Sequence, residues 1–395
     1  MPYSMMSGCR EKKQETYFKL MNPIHKHLQN ITPLESGCNH PLQMTFEDQI
    51  NILIYYHLEE HHSGRHLLQV LEEERFAREH IMPEGGIKKS SFFEALSSRG
   101  LEQMLELFQK LYADAAGRLP GEHTALGDLV AIDGSLIDSV LSMHWADYRD
   151  GSKKAKVHVG FDLNRGIPKK LFLTDGKGDE RPFVSQILSP GETGVMDRYY
   201  QRHKSFDQWQ AEDKHFICRI KASTTKTEIS VNDIPPGSII FYDAVVLLGT
   251  PGINQTEKEV RVVGYRVDNI DYWVATDRYD LTAEQIAFAY KLRWNLEIFF
   301  GWWKRHLKVY HLISRSQYGL MVQMLAGMIT YLLLAIYCRE QYHEKVSVKR
   351  LREICINIRN EISPEELVNN VLNKNAQRSH RPHQPSYGLS SYANL

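Results

Sequence analysis

The segment YKLRWNLEIFFGWWK places Tyr290, Arg293, Glu297 and Lys304 at successive offsets of three, four and seven residues. At about 100° per residue the four side chains fall within an arc of roughly 60° on an α-helix, so the spacing predicts one shared face. A carboxylate flanked by Arg and Lys suits a site that takes a metal ion and a phosphodiester together. Glu297 would ligate the metal, while the cations and the phenol would hold phosphate oxygens. The same spacing also describes a salt-bridged amphipathic helix, because Arg293 and Glu297 form an ordinary i, i+4 pair. Gly301 would leave room on that face, and Phe299, Trp302 and Trp303 point elsewhere, toward a core or a ligand.

Two further carboxylates end apolar runs. Asp133 follows Leu129-Val130-Ala131-Ile132, and Asp197 follows Val195-Met196. Each is expected where a buried strand reaches its polar end, a common place for ligands in open α/β sheets. With Glu297 they make an Asp, Asp, Glu set, which can hold two Mg²⁺ ions about 3.5–4 Å apart for in-line phosphoryl displacement. A lone strand-end Asp can equally cap a turn, and Asp138, Asp162 and Asp175 are rival carboxylates.

Weaker signals lie elsewhere. His57, His61, His62 and His66 cluster in YYHLEEHHSGRH, where a solvated helix face is preferred to a metal pair. Lys88 and Lys89 precede Ser90 and Ser91 after Gly85-Gly86, a pattern for a serine-capped helix whose amino terminus could meet phosphate, or for a plain surface helix. The basic, aromatic stretch KRHLKVYHLISR from Lys304 can track a nucleic-acid backbone or form a solvated face.

These residues need elements to hold them. The 395 residues, 42% hydrophobic and 24% charged, can fill two or three packed units and exclude a disordered or collagen-like chain. The 48 basic and 48 acidic residues cancel, yet residues 41–130 hold eight Lys/Arg against fifteen Asp/Glu, and residues 281–350 hold ten against four. A polyanion would meet the second region first. Five scattered cysteines without a C-x-x-C pair suit a reducing cytoplasm, and the amino terminus lacks the apolar core of a secretory signal. Tyr318 to Cys338 carries no charge and is long enough to span a membrane, but Gln323, Thr330 and the chemistry-bearing residues upstream favour a buried helix, with no membrane partner. Periodicity divides the chain into an arm (1–45), a helical domain that could bind DNA (46–124), an α/β domain (125–222 and 278–350) interrupted by a β-rich insertion (223–277), and a helix with a loose tail (351–395).

AIDGS around Asp133, KKAKVHVGFDL after it, MDRYY around Asp197, the β-rich insertion and the Y-x2-R-x3-E-x6-K signature together resemble the DDE transposases of insertion-sequence-four type over roughly residues 125–340. The resemblance implies an α/β fold with an RNase H-like mixed sheet, a β-rich insertion and a preceding helical N-terminal domain. It implies Asp133, Asp197 and Glu297 as metal-binding catalytic triad, with two Mg²⁺ ions for which Mn²⁺ may substitute, and Tyr290, Arg293 and Lys304 at the DNA terminus. The partners implied are double-stranded DNA, as terminal inverted repeats and target, and a second copy in a homodimeric complex at the nucleoid. Trp273, or its neighbour Tyr272, lies where family members hold a flipped base. Tyr199 departs from the family, which often has Gly there. The rival readings are an RNase H-fold nuclease without strand transfer and a catalytically retired DNA-binding protein.

Overall fold

Leu129, Val130, Ala131 and Ile132 are all buried, as a strand covered on both faces requires. They begin β1 (Leu129–Ser139), which lies inside a ten-stranded sheet. The computed structural model describes residues 15–35, 42–59, 61–139, 143–149, 152–307 and 309–360. The loose tail expected from about residue 373 and the first 14 residues of the arm lie outside these.

Helices come first: α1 (Glu15–Leu28), α2 (Phe46–Leu58), α3 (Gly64–Glu73), α4 (Arg75–His80), α5 (Lys89–Ser98) and α6 (Leu101–Arg118). A capping box between Thr45 and Asp48 starts α2. After β1 come β2 (Asp147–Arg149), β3 (Ser152–Asp162), β4 (Ile167–Asp175), α7 (Val184–Ile187), β5 (Thr193–Met196), α8 (His203–Ala211) and β6 (His215–Arg219). β3 lies antiparallel to β1, to β2 and to β4, whereas β5 lies parallel to β1 and to β6. The mixed α/β sheet of an RNase H-like fold is therefore present. The inserted strands β7 (Lys226–Val231), β8 (Ile240–Leu248), β9 (Val260–Val267) and β10 (Ile270–Thr276) do not form a sheet of their own. β10 pairs antiparallel with β6 and carries the others outward on the same sheet.

The chain closes with α9 (Ala283–Leu292), α10 (Trp294–His306), α11 (Gln317–Tyr342) and α12 (Val348–Asn360). α11 is long and apolar enough to cross a membrane, but 89% of its most hydropathic window is buried inside the protein. It packs against α2, α5 and α6 as well as β4, so the amino-terminal helices share its core. Core positions alternate by face along β1. Leu129 and Ala131 join the core covered by α9, α10 and α11, and Val130 and Ile132 join the one covered by α7 and α8. This alternation decides where the next residue, Asp133, points.

Candidate active site

Asp133 continues the odd-numbered face of β1 and projects toward α9 and α10. Its parallel neighbour does the same: Ala131 pairs with Val195, and Ile132 with Met196, so Asp197 follows one step beyond on the same face. With adjacent strands about 4.8 Å apart, the two aspartates leave the parallel pair side by side. Asp197 ends β5 as expected and caps a short 3₁₀ turn, accepting from the Tyr199 N–H at 2.8 Å. Asp133 does not end its strand. β1 runs on to Ser139 because its other edge stays paired with β3, with Asp133 opposite Val159. What ends there is the parallel half of the ladder.

The signature helix is broken. α9 stops at Leu292 and α10 starts at Trp294, with Arg293 in the joining turn. The Arg293 N–H donates to Tyr290 O at 3.2 Å, and the Leu296 N–H donates to Arg293 O at 3.0 Å. A capping box from Thr282 and Gln285 starts α9, and Glu297 in the first turn of α10 suits that helix's positive end. Arg293 then joins carboxylates from distant parts of the chain: Nη1 reaches Asp133 Oδ2 at 3.3 Å, and Nη2 reaches Glu297 Oε1 at 2.5 Å. Its Nε is buried and makes no hydrogen bond among the described residues. Burial pushes the Asp133 carboxyl up to about 7, against the pull of Arg293 and of the Gly134 N–H, and the charges of Glu180 and Asp197 raise it further.

Tyr290 is buried beside this pair, with the Arg293 guanidinium 5.9 Å from its ring centre, and burial raises its phenol. Lys304 Nζ donates to Leu136 O at 2.7 Å, tying α10 across β1, and burial lowers its pKa. A Cβ added at Gly301 would meet nothing within 4 Å, while Phe299 and Trp303 are buried in the core.

Other expected residues stand apart from this group. Lys88 and Lys89 are exposed at the start of α5, but Lys88, not a serine, is the N-cap, and Ser91 bonds instead to Gln43 at 2.9 Å. Trp273 packs on the core of α7 and α8, between Phe241 and Tyr242, with Lys226 Nζ 4.3 Å from its ring centre. Tyr272 takes the opposite face, stacked on Tyr265 and 6.4 Å from the Tyr290 ring. The histidines divide: His62 is exposed and His66 half-buried, whereas His57 and His61 leave the solvated face. His57 is fully buried, its ring nitrogens 2.5 Å from Leu307 O and 3.1 Å from Gln323 O, and His61 is only 3% exposed. Of the rival aspartates, Asp138 pairs with Lys154, Asp162 with Arg165, and Asp175 bonds the Lys177 N–H.

Glu180 escaped sequence reasoning. Its carboxylate lies against the face of β1 where Gly134 has no side chain, and a Cβ there would stand 2.6 Å from it. Lys156 at 3.0 Å and the buried Tyr200 hydroxyl at 2.7 Å hold it. The glycine directly after Asp133 was the available signal.

Among the described residues, no three or more His, Cys, Asp or Glu side chains stand close enough to hold a metal ion. The donor chemistry still fits a hard divalent cation. Two carboxylates converge on one guanidinium, a third emerges on the adjacent strand, and the raised Asp133 marks charge that an added cation would relieve.

Residues 125–333, more than half of the 395, match the family described as the transposase DDE domain. A protein of Geobacillus stearothermophilus named as a transposase for insertion sequence element IS5377 is 27% identical over 192 residues, 48% of this chain. The chain spans about half of that relative, 51% of its length. A Synechocystis protein named as a transposase for insertion sequence element IS4SA is 26% identical over 258 residues, 62% of this chain and 71% of its own. Among solved structures, a piggyBac transposase synaptic complex with hairpin DNA aligns at 8% identity and a TM-score of 0.43, covering 95% of this chain and 83% of that one.

Proposed function

Since the chain belongs to the transposase DDE domain family, we propose that it cleaves DNA at the ends of an insertion sequence and joins those ends to target DNA. The observation that carries this reading is Arg293, whose two terminal nitrogens bring together Asp133 and Glu297 from positions 164 residues apart, beside Asp197. These three carboxylates would hold two Mg²⁺ ions, or Mn²⁺, which when bound activate the attacking oxygen and stabilise the leaving one. The remaining work falls to side chains of the protein. The Arg293 guanidinium would meet a phosphate oxygen at these carboxylates, and the Tyr290 ring keeps it in place. Lys304, fixed to Leu136 O on the strand that carries Asp133, would add positive charge for the DNA terminus. Exposed Lys88 and Lys89 on the amino-terminal helices would hold the terminal repeats. The aromatic cluster around Trp273 offers a stacking face for a base away from the carboxylates. Catalysis would occur in a homodimer assembled on the DNA.

The test is incubation of the protein with Mg²⁺ and DNA carrying its element ends, with and without target DNA. Nicking at the ends and a covalently joined product are expected from the parent protein. Asp133→Ala and Glu297→Ala should abolish both, and either variant cutting at the parent rate would remove the proposed site. Nicking without any joined product would assign the protein to hydrolysis alone.

A further inference from the structure

A groove of about 1250 Å³ opens beside Asp197, between the segment that follows β5 and the loops that follow β6 and β8. It contains neither Asp133 nor Glu297 in its lining, yet it shares Asp197 with them. Its walls carry Arg181, Arg198, Arg202, Lys204 and Lys221, against two carboxylates, Asp197 and Glu257. Arg198, Arg202, Lys204 and Lys221 are exposed, and among the described residues none of them is ion-paired. Exposed Tyr199 stands at the same rim, with the Arg181 guanidinium 5.2 Å from its ring centre. In a chain whose charges cancel, four unpaired cations along one groove are a local concentration that selects for a polyanion.

The groove is also pre-formed. Gln201 ties its two sides, accepting from the Lys221 N–H at 2.9 Å and donating to Thr224 Oγ1 at 2.9 Å. His203 Nδ1 lies 2.6 Å from Asn254 O, and Asp207 accepts from the Glu257 and Lys258 N–H groups. Hydroxyl and amide groups of Ser223, Thr225, Thr250 and Gln255 line the space between the cations. Such groups commonly accompany Lys and Arg at phosphates.

Its place in the sheet gives it a role. In the order β3, β1, β5, β6, the groove follows β5 and β6, and Lys304 is fixed to Leu136 O on the edge of β1 that faces β5, so lysine and groove lie on the same side of β1. A strand whose phosphate sits at the carboxylates has backbone running on past them, and this groove gives that backbone a positively lined exit.

We propose that this groove binds the phosphate backbone of a DNA duplex beside Asp197, through Arg202, Lys204 and Lys221. The inference rests on the DNA-cleaving reading above and extends it to residues which that reading does not use. The experiment is fluorescence anisotropy of the full chain with a labelled 30-base-pair duplex of arbitrary sequence, titrated between 50 and 200 mM salt. The variants compared are R202A/K204A/K221A and, as a charge-matched control, K345A/K349A/R352A. With three phosphates no longer neutralised, at about 0.9 each, the groove variant should show a log Kobs against log[salt] slope shallower by close to 3, and binding at least about tenfold weaker at 0.1 M salt. The control should keep the parent slope. A groove variant that matches the parent, or a control that falls equally, overturns the proposal while leaving the DNA-cleaving reading intact. If the parent protein binds no duplex even at 50 mM salt, both fall together. All three groove side chains are exposed, so circular dichroism should show an unchanged fold.

Discussion

Arg293→Gln removes the one positive charge that faces both Asp133 and Glu297, and its consequences can be worked through before any DNA is added. The side chains of Arg293, Asp133 and Glu297 are 13%, 23% and 34% exposed, so the cluster lies between an open surface pair and a sealed one. Breaking a sealed pair costs about 3–5 kcal/mol and a surface pair under about 1 kcal/mol, which puts this loss at about 2–3 kcal/mol. At roughly 2 °C per kcal/mol for a chain of this size, melting should fall by about 4–6 °C. The loss should also depend on pH. A carboxyl whose folded pKa is raised binds its proton more tightly in the native state, so its contribution is present below the unfolded value and disappears as pH rises through about 7. Without Arg293 to pull it down, the Asp133 carboxyl rises further. The destabilisation should therefore be large at pH 8, where Asp133 must ionise unpaired, and small at pH 5.5, where it keeps its proton. Added Mg²⁺ at pH 8 should restore more melting temperature to the variant than it adds to the parent, because it supplies the missing charge. Scanning calorimetry at both pH values reads all of this. An unchanged melting temperature at pH 8, or an equal loss at both pH values, would refute the assigned electrostatics.

Three further outcomes follow from the packing. Burial, reinforced by the charges of His66, Arg359 and His62, lowers the His61 pKa to about 3, so its stabilising contribution is present above 6.5 and lost as pH falls toward 3. About 2 kcal/mol should go between pH 6.5 and 5, and His61→Phe should flatten that limb of a urea-denaturation series, since neither ring nitrogen has a hydrogen-bond partner among the described residues. Trp303 is fully buried, and its Nε1 makes no hydrogen bond among the described residues, so Trp303→Ala should cost about 3–5 kcal/mol in the same assay and Trp303→Phe distinctly less. Arg261 grips Asp243 at 2.8 and 2.7 Å and donates to Leu281 O at 2.6 Å, with both side chains under 10% exposed. Asp243→Ala should destabilise by about 3–5 kcal/mol, and D243L/R261M should recover most of that loss in thermal melts.

Residue type and local spacing announced the three carboxylates, the signature around Glu297 and the buried character of Gln317–Tyr342, because each follows from short-range periodicity. What brings Asp133 to Asp197 is the parallel register between β1 and β5, a non-local pairing that no window of sequence contains. The same limit hid the union of the insertion with the main sheet, made by β10 against β6, and the place of Glu180 beneath Gly134. Strand parity separates Tyr272 from Trp273, but only the ladder tells which of the two shares a face with Tyr290. The histidine cluster misled for another reason. A buried imidazole that bonds backbone carbonyls has the same spacing in the sequence as a hydrated one, so only tertiary packing separates His57 from a surface residue.

The backbone ladder between β6 and β10 makes the inserted strands one rigid plate with the strands that present Asp133 and Asp197. Moving the strands that carry the channel's walls apart would mean breaking backbone hydrogen bonds along that seam, which resists widening of the channel beside Asp197. A duplex entering it must supply the bending itself. Among sequences with identical base contacts, those with flexible pyrimidine–purine steps near the cut would then be seated most readily, and stiff tracts least.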